Sequence, residues 1–364
     1  MNPLPPALTP AGRTRVLWRG RRMTYFAGCD YFRLSTHPDT IRAAIAASRT
    51  YGLSVGASRL TTGNSPLLVE LERELARFLL APAAVVTPTG SSANACLGES
   101  LHGEFTHVLL EERSHPSLKD AVSSLGAAVL PFAHRDPESV QRWVSTLPSS
   151  AHVLLATDGV FALDGAIAPL RQYRDVLPES AWMWVDDCHG AGTIGSTGAG
   201  TAQLEGVGNR QLLRTATLSK AFGSYGGVIL GSSARIRSVL QRSRTFASST
   251  PPPPPSAAAA LAALRLLGSD PTLRTRLTDR IRQIRDALSR AGIQVTASPA
   301  PIFCIIPDTS TQRARLERRL VREGIHPPFI RYPGGPASGL FRFALSSEHS
   351  ASQLRGLLRA LEAE

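Results

Sequence analysis

Short apolar runs alternate with helical stretches through the first two thirds of the chain, and this alternation restricts the fold more than any other feature. Turn-forming or polar residues bound each run, and the runs lie at Ala84–Thr87, His107–Leu110, Ala127–Phe132, His152–Ala156, Trp182–Val185 and Val228–Gly231. Helical patterns separate them at Ser92–Leu101, Pro116–Ser124, Pro137–Leu147 and Pro169–Val176. Strands that are apolar on both faces and separated by helices predict an α/β fold with a mostly parallel sheet sandwiched by helices.

A second, smaller domain is predicted after a run of five prolines, Pro251–Pro255, which cannot continue a central strand or a helix interior. Beyond it lie the helical patterns Ser256–Leu267, Pro271–Ala291, Thr311–Glu323 and Ala351–Leu361, with strand-like runs at Ile302–Ile306 and Phe341–Leu345. We expect a large α/β domain over residues 39–244 and a small C-terminal α+β domain over 245–364. The N-terminal segment, residues 1–38, is expected to join the small domain.

Several classes of protein are excluded by composition. No apolar run approaches the roughly 18–20 residues of a membrane span, and Met1–Arg22 lacks the apolar segment of a secretory signal. The four cysteines, Cys29, Cys96, Cys188 and Cys304, lack the paired spacing of a disulfide framework or zinc site. The expectation is a soluble cytoplasmic protein without a membrane partner or a bound metal.

The basic residues are almost all arginine. The formal net charge is +12, yet lysine occurs only at Lys119 and Lys220. Codon usage explains the excess of arginine, or else the charge attracts an anionic substrate or an acidic carrier protein. The arginines form no basic helix or patch interleaved with aromatic residues, so no nucleic-acid partner is expected. A lysine retained in such a chain can do what arginine cannot, because it can lose its proton and act as a nucleophile.

The first predicted strand, Ala84–Thr87, continues into the small and hydroxyl-bearing residues of 88–94 and then into a helix. Such residues let backbone N–H groups at the helix start approach a phosphate. An ordinary Thr or Ser helix cap would produce the same pattern, so both interpretations stay open.

Another strand, Trp182–Val185, ends in Asp186-Asp187-Cys188-His189-Gly190. Two carboxylates and an imidazole are costly to place there unless they are paired or used. Alternatively, Asp187 caps the following turn and His189 is hydrogen-bonded in the core. A metal site is not favoured, since further ligands at suitable spacing are missing.

Lys220 lies downstream, within the hydroxyl-rich segment Thr215–Gly223. A carboxylate at a strand end and a lysine further on are what pyridoxal phosphate requires. The lysine forms an imine with the cofactor aldehyde, and the carboxylate keeps the pyridine nitrogen protonated so that the ring accepts electrons. A solvated surface lysine is the alternative.

From about Tyr25 onward, the sequence resembles the α-oxoamine synthase family of fold-type I pyridoxal-phosphate enzymes. The motifs that carry the resemblance are Asp30-Tyr31 with Leu34-Ser35, Gly56-Ala57-Ser58-Arg59, Thr89-Gly90, Ser114-His115-Pro116-Ser117, Asp158-Gly159-Val160-Phe161 through Asp164-Gly165, Val185-Asp186-Asp187-Cys188-His189-Gly190, Thr217-Leu218-Ser219-Lys220-Ala221-Phe222-Gly223 and Arg342. The resemblance implies the fold-type I architecture, pyridoxal phosphate as cofactor, acyltransferase activity and a homodimer with shared active sites.

The resemblance also implies roles for individual residues. Lys220 would hold the cofactor and move the substrate's α-proton, Asp186 would pair with the pyridinium nitrogen, and His189 would hydrogen-bond the phenolic oxygen. His115 would stack on the ring. The other implied contacts are Gly90, Ser91, Asp158 and Thr217 to the cofactor, Ser248 or Ser249 to the neighbouring subunit's phosphate, and Arg342 and Arg331, with His115, to the substrate. A planar arginine suits the binding of an amino-acid carboxylate, the role implied for Arg342.

The implied reaction is a decarboxylating condensation of an amino acid with an acyl thioester to give an α-amino ketone. The resemblance is greatest to members that use L-alanine and a pimeloyl thioester, on CoA or a carrier protein, in biotin synthesis. Glycine C-acetyltransferase, 5-aminolevulinate synthase and serine palmitoyltransferase-like activities stay open, as do a pyridoxal-phosphate aminotransferase and a basic binding protein with a decayed site. Carbon dioxide release distinguishes condensation from transamination, and cofactor absorbance distinguishes an enzyme from a binding protein.

At several positions the chain departs from the residues usual in the family. The departures are Cys29 (usually Asn), Arg33 (Gly), Leu68 (His), Ala162 (Ser) and Gly334 (Thr). They include none of the four implied catalytic residues. We therefore expect them to bear on the acyl substrate, and they fit either a divergent biotin enzyme or a relative from specialised metabolism.

Overall fold

The computed structural model describes residues 5–332 and 335–362. Gly334, one of the departures, lies outside the described residues. The strands are β1 (Thr9–Pro10), β2 (Arg15–Trp18), β3 (Arg21–Thr24), β4 (Ala83–Thr87), β5 (His107–Glu111), β6 (Ala128–Phe132), β7 (Val153–Asp158), β8 (Trp182–Asp186), β9 (Leu212–Thr217), β10 (Gly227–Gly231), β11 (Ile302–Ile305), β12 (Phe329–Ile330) and β13 (Leu340–Ala344).

Most of the α-helices begin at a residue whose side chain caps the helix. The α-helices are α1 (Pro38–Tyr51), α2 (Pro66–Phe78), α3 (Gly90–Ser100), α4 (Pro116–Ser123), α5 (Pro137–Thr146), α6 (Leu170–Val176), α7 (Thr201–Leu204), α8 (Ser233–Arg242), α9 (Arg244–Ser248), α10 (Pro254–Ser269), α11 (Thr272–Arg290), α12 (Ser310–Arg322) and α13 (Ala351–Glu362). Thr89 forms a capping box with Ser92 at the start of α3. Helix α10 begins within the proline run, because the first turn does not need the N–H that proline lacks.

The central sheet has the strand order β4-β10-β9-β8-β7-β5-β6 among the described residues. Strand β10 is antiparallel to both of its neighbours, and the other pairs are parallel. Alternate residues of β8 enter different cores: Trp184 packs with α3 and α4 on one face, and Met183 packs with α5 and α6 on the other. The predicted mostly parallel sheet sandwiched by helices is confirmed.

The chain forms two compact units. The larger contains Leu34–Ala162 and Ala166–Pro271, and the smaller contains Met1–Arg33, Leu163–Gly165 and Thr272–Glu364. The predicted boundary at residue 244 is corrected to 271, because α10 packs against α1 and α2 of the larger unit. The N-terminal segment of the smaller unit ends at Arg33 rather than at residue 38, just before the start of α1.

Within the smaller unit, β1, β2 and β3 form one antiparallel sheet, and β11, β13 and β12 form another. Helices α11 and α12 each pack against α13. No helix in the described part of the chain combines the length and apolar character needed to cross a bilayer.

Candidate active site

A cavity of about 230 Å³ opens at the carboxyl ends of β4, β5, β7, β8 and β9. Ligands of open α/β sheets bind outside these strand ends. Its lining consists of Thr89, Gly90, Ser91, His115, Ser117, Asp158, Val160, Ala162, Asp186, Cys188, His189, Thr217, Ser219 and Lys220. The cavity therefore brings together eight predicted site residues from the ends of five strands of the larger unit and the segments that follow them.

The amino terminus of α3 forms one wall of the cavity, where Gly90 and Ser91 are the first two helical residues. A methyl group on Gly90 would lie only 3.2 Å from Cβ of Thr217 and 3.3 Å from Sγ of Cys188. Glycine therefore allows the helix to start close to the end of β9. Thr217 Oγ1 and Ser219 Oγ lie 2.8 Å apart beside it. A helix amino terminus with adjacent hydroxyl groups is suited to bind a phosphate.

Asp186 is the last residue of β8 and is buried. Its Oδ2 accepts a hydrogen bond of 2.7 Å from Nδ2 of Asn94, and its Oδ1 accepts one of 3.1 Å from the backbone N–H of Cys188. These two bonds fix the direction of the carboxylate. Burial, followed by the negative charge of Asp186, raises the pKa of the Cys188 thiol well above its usual value.

A second carboxyl group, Asp158, ends the neighbouring strand β7 in register with Asp186. Burial, and then the charge of Asp186, raises the pKa of Asp158 well above its ordinary value. Its Oδ1 accepts the backbone N–H of His115 at 3.0 Å. Burial lowers the pKa of His115, and the imidazole is therefore neutral at pH 7.

Comparison with known proteins gives a consistent result. A sequence model of the aminotransferase class I and II family matches residues 26–361. The chain is 36% identical to an 8-amino-7-oxononanoate synthase from Nitrosococcus oceani, covering 94% of this chain and 91% of that protein. It is also 36% identical to one from Pseudomonas putida strain F1, covering 98% and 92%.

The chain belongs to the α-oxoamine synthase family. It is a pyridoxal-phosphate-dependent acyltransferase.

Solved structures agree with the predicted fold-type I architecture. A serine palmitoyltransferase from S. paucimobilis with bound PLP superposes with a TM-score of 0.91 at 25% identity, covering 98% of this synthase and 91% of that chain. An 8-amino-7-oxononanoate synthase from Francisella tularensis superposes with a TM-score of 0.80 at 23% identity, covering 93% of this chain and 97% of that chain. This second similarity supports the fold and carries no conclusion about activity.

The cavity of this synthase contains groups that suit each part of pyridoxal phosphate. The start of α3 with Thr217 and Ser219 suits the phosphate, the carboxylate of Asp186 suits the pyridinium nitrogen, and the amine of Lys220 suits the aldehyde. Because Gly90 has no side chain, the amino terminus of α3 can lie close to Thr217 and Cys188. The residues present therefore fit the cofactor of the family.

Asp187, next to Asp186 in sequence, does not line this cavity. Its Oδ1 accepts the hydroxyl proton of Thr201 at 2.6 Å, and its Oδ2 accepts the backbone N–H of Thr201 at 2.9 Å. The carboxylate thus caps α7, fourteen residues downstream, rather than the turn that follows it. Burial raises its pKa to about 6 despite these bonds and the nearby charge of Arg214.

The structure places four predicted site residues elsewhere. Ser248 and Ser249, at the end of α9, do not line the cavity; their hydroxyls bond to the carbonyls of Arg244 and Thr245. Arg342 and Arg331 belong to the smaller unit.

Arg342 lies on β13, and each of its two terminal nitrogens is 3.6 Å from Sγ of Cys29. Cys29 is one of the positions at which the chain departs from the family's usual residue, and it contacts the arginine that the resemblance implies in substrate binding. Arg331 is exposed.

Among the cavity residues that sequence analysis did not assign are Ser117, Val160, Cys188 and Ser219, and it also missed Asn94 behind them. A usable signal existed for Asn94. It follows Gly90 by four residues, one helical turn, and so projects from the same face of α3.

Proposed function

We propose that this synthase condenses L-alanine with a pimeloyl thioester, releasing carbon dioxide and forming 8-amino-7-oxononanoate in biotin synthesis. The observation that supports this choice is the 35–36% identity to proteins named 8-amino-7-oxononanoate synthase over almost the whole chain. The solved serine palmitoyltransferases are less similar in sequence, at 25–26% identity. CoA and a carrier protein are both compatible with the proposed thioester.

In this proposal the larger unit binds the cofactor. Gly90, Ser91 and Thr217 hold the phosphate, and Asp186 holds the pyridinium nitrogen. His189 donates to the phenolic oxygen and His115 covers the ring, with Asp158 in support. When bound, pyridoxal phosphate supplies a ring that withdraws electrons from the α-carbon of the amino acid.

Lys220 and the donors around it then act on the substrates. Nζ of Lys220 binds the cofactor, and after release it takes the α-proton of the amino acid and later returns a proton to that carbon. His189 stabilises negative charge on the thioester oxygen as the new carbon–carbon bond forms. Arg342 binds the amino-acid carboxylate, for which a planar, two-pronged donor is suited, and Arg331 contacts the substrate beside it.

We also propose that the active form is a homodimer. Large apolar side chains remain exposed on α1, on α2 and on the loop between them, at Ile41, Ile45, Tyr51, Leu53, Leu60 and Val69. Exposed apolar surface of this extent is typical of an interface. In the dimer, Ser248 or Ser249 would reach the partner's phosphate site, which agrees with their position away from the cavity of their own chain.

Light scattering tests the dimer. Wild type is expected at twice the chain mass, and Ile45→Glu combined with Leu53→Asp is expected at the chain mass with little activity. Ile306→Glu, a change at an exposed apolar residue of the smaller unit, is the control and should remain dimeric. A wild-type monomer that is fully active would contradict the proposal.

The reaction is tested with alanine, glycine and serine, each offered with pimeloyl, acetyl, succinyl and palmitoyl thioesters. We expect alanine with pimeloyl thioester to give the highest kcat/KM, with one carbon dioxide released per thiol. Serine with palmitoyl thioester as the best pair would favour the serine palmitoyltransferase alternative, for which the TM-score of 0.91 is the supporting observation. Amino-group transfer without carbon dioxide would contradict both.

A further inference from the structure

A continuous set of hydrogen bonds centred on Asn94 runs behind the cavity. Asn94 lies on α3 and is fully buried. Its Nδ2 donates to Oδ2 of Asp186 at 2.7 Å and to Oγ of Ser117 at 3.0 Å, and its Oδ1 accepts the hydroxyl proton of Thr215 at 2.6 Å. Ser117 Oγ in turn lies 2.8 Å from Nδ1 of His115. One amide therefore joins the carboxylate at the end of β8 to the imidazole at the start of α4.

The chemistry of the groups fixes the direction of these bonds. The carboxylate of Asp186 can only accept, so the amide of Asn94 turns its nitrogen toward Asp186 and its Oδ1 toward Thr215, whose hydroxyl must then donate. The same hydroxyl accepts the indole N–H of Trp184 at 3.4 Å. The amide of Asn94 then has its two N–H groups for Asp186 and Ser117.

Because Nδ1 of His115 accepts the backbone N–H of Ser117 at 3.2 Å, it carries no proton, and the hydroxyl of Ser117 donates to it while accepting from Asn94. Nδ1 of His115 is thus an acceptor on both counts, and the ring proton is left on Nε2.

We propose that Asn94 is a positioning residue that orients Asp186 and, through Ser117, keeps the proton of His115 on Nε2. The two groups expected to contact the cofactor ring, one at its nitrogen and one on its face, are then set by a single buried amide. The inference depends on the family's cofactor and on these side chains, and it does not depend on the substrates proposed above.

The first test measures cofactor affinity without any acyl substrate. Asn94→Ala should weaken binding of pyridoxal phosphate to the cofactor-free protein by about 10- to 100-fold, the range expected when a buried carboxylate loses a hydrogen bond. Asn209→Ala is the matched control, because Asn209 is an exposed asparagine outside the cavity that donates to the carbonyl of Leu80. It should bind the cofactor as wild type does.

The second test observes the tautomer of His115 by ¹⁵N NMR of histidine-labelled, cofactor-free protein. In wild type Nδ1 should resonate as an unprotonated nitrogen and Nε2 as a protonated one. In Ser117→Ala both resonances should move towards the average of two exchanging tautomers, since Nδ1 keeps only the longer backbone bond. His115→Gln identifies the signals.

Thr215 supplies a variant pair that avoids the cavity left by Asn94→Ala. Thr215→Val keeps the shape but removes the proton given to Asn94, and Thr215→Ser keeps that proton. We expect Thr215→Val to lower kcat while the KM for the amino acid changes by less than about twofold, and Thr215→Ser to restore kcat. If Asn94→Ala binds the cofactor normally, if Thr215→Val keeps the wild-type kcat, or if the His115 signals are unchanged in Ser117→Ala, Asn94 only supports the helix and the proposal is wrong.

Discussion

Two adjacent carboxylates at the end of β8 face different regions of the larger unit. Asp186 faces the cavity that holds Lys220, and Asp187 faces a closed pocket formed by Thr201 and three glycines. A methyl group on Gly190 or Gly200 would overlap the carboxylate of Asp187, and one on Gly159 would lie 2.7 Å from it. Only Asp186 has space beside it for a ligand. The comparison shows that one motif combines a chemical group with a structural one.

This difference predicts two separable kinds of defect. Changes on the cavity side should remove activity and leave the free energy of unfolding nearly unchanged, because those side chains face open space. Changes around Asp187 should lower the free energy of unfolding and leave the kcat of the folded protein close to wild type. A variant that loses both would show that the two regions are coupled.

The largest effect is expected from Lys220→Ala, which removes the amine proposed to bind the cofactor. Turnover should fall to background, with unfolding free energy within about 0.5 kcal/mol of wild type. The chain offers a matched control in its other lysine: Lys119 lies on α4, outside the cavity, and donates to the carbonyl of Glu112. Lys119→Ala should retain full activity. Peptide mapping after borohydride reduction should find the cofactor on Lys220, and a label on Lys119 would contradict the assignment.

Asp186→Asn should have the next largest effect, since asparagine keeps the shape and removes the charge. We expect kcat to fall by about 10²–10³-fold, the scale of a lost electrostatic contact to a reacting group. Cofactor binding should be weakened but still measurable, because the phosphate contacts of α3 remain. Wild-type kcat in this variant would mean that the charge at 186 has no part in the reaction.

Much of the fold was predictable because most of the central strands are apolar on both faces and most of the helices begin at a capping side chain. The sequence did not predict β9, because its residues Arg214, Thr215 and Thr217 read as polar. Arg214 is nevertheless buried, and it donates to the carbonyls of Ala199 and Leu79. A polar residue can occupy a central strand when distant loops supply its acceptors, and those loops are not visible in the local pattern.

The candidate site shows the same limit. Lys220 and Asp186 were predictable from residue scarcity and strand-end position, and the family resemblance added His115 and His189. The separate environments of Asp186 and Asp187 were not predictable, since they depend on glycines at 159, 190 and 200 that meet only in the folded chain. Asn94 could be located from its place one helical turn after Gly90, but its hydrogen bonds could not, because its partners come from three different segments.

A smaller effect, visible only as pH changes, is expected from Asp187→Asn. Burial raises the pKa of Asp187 from 3.8 to about 6, so the folded chain binds this proton more tightly than the unfolded chain does. The associated stability is present at low pH and is lost as pH rises through about 6, by up to roughly 3 kcal/mol. Wild type should therefore lose stability relative to Asp187→Asn between pH 4 and pH 7. Urea unfolding of both proteins across this range measures the difference; a constant difference would show that Asp187 does not titrate there.

The smallest effect, and the sharpest test of the closed pocket, is expected from Gly190→Ala. Gly190 adopts no left-handed conformation, so any loss of stability must come from the contact of the new methyl group with Asp187 and Thr201. Displacing the carboxylate should lengthen its bonds to Thr201 and lower the free energy of unfolding by about 1–3 kcal/mol, the range for overpacking a core.

Gly208→Ala is the control, because nothing lies within 4 Å of a methyl group there, and it should change the free energy of unfolding by less than about 0.5 kcal/mol. If Gly190→Ala is as stable as Gly208→Ala, the pocket around Asp187 is looser than its glycines indicate. If it is stable but inactive, the two sides of the strand end are coupled through His189.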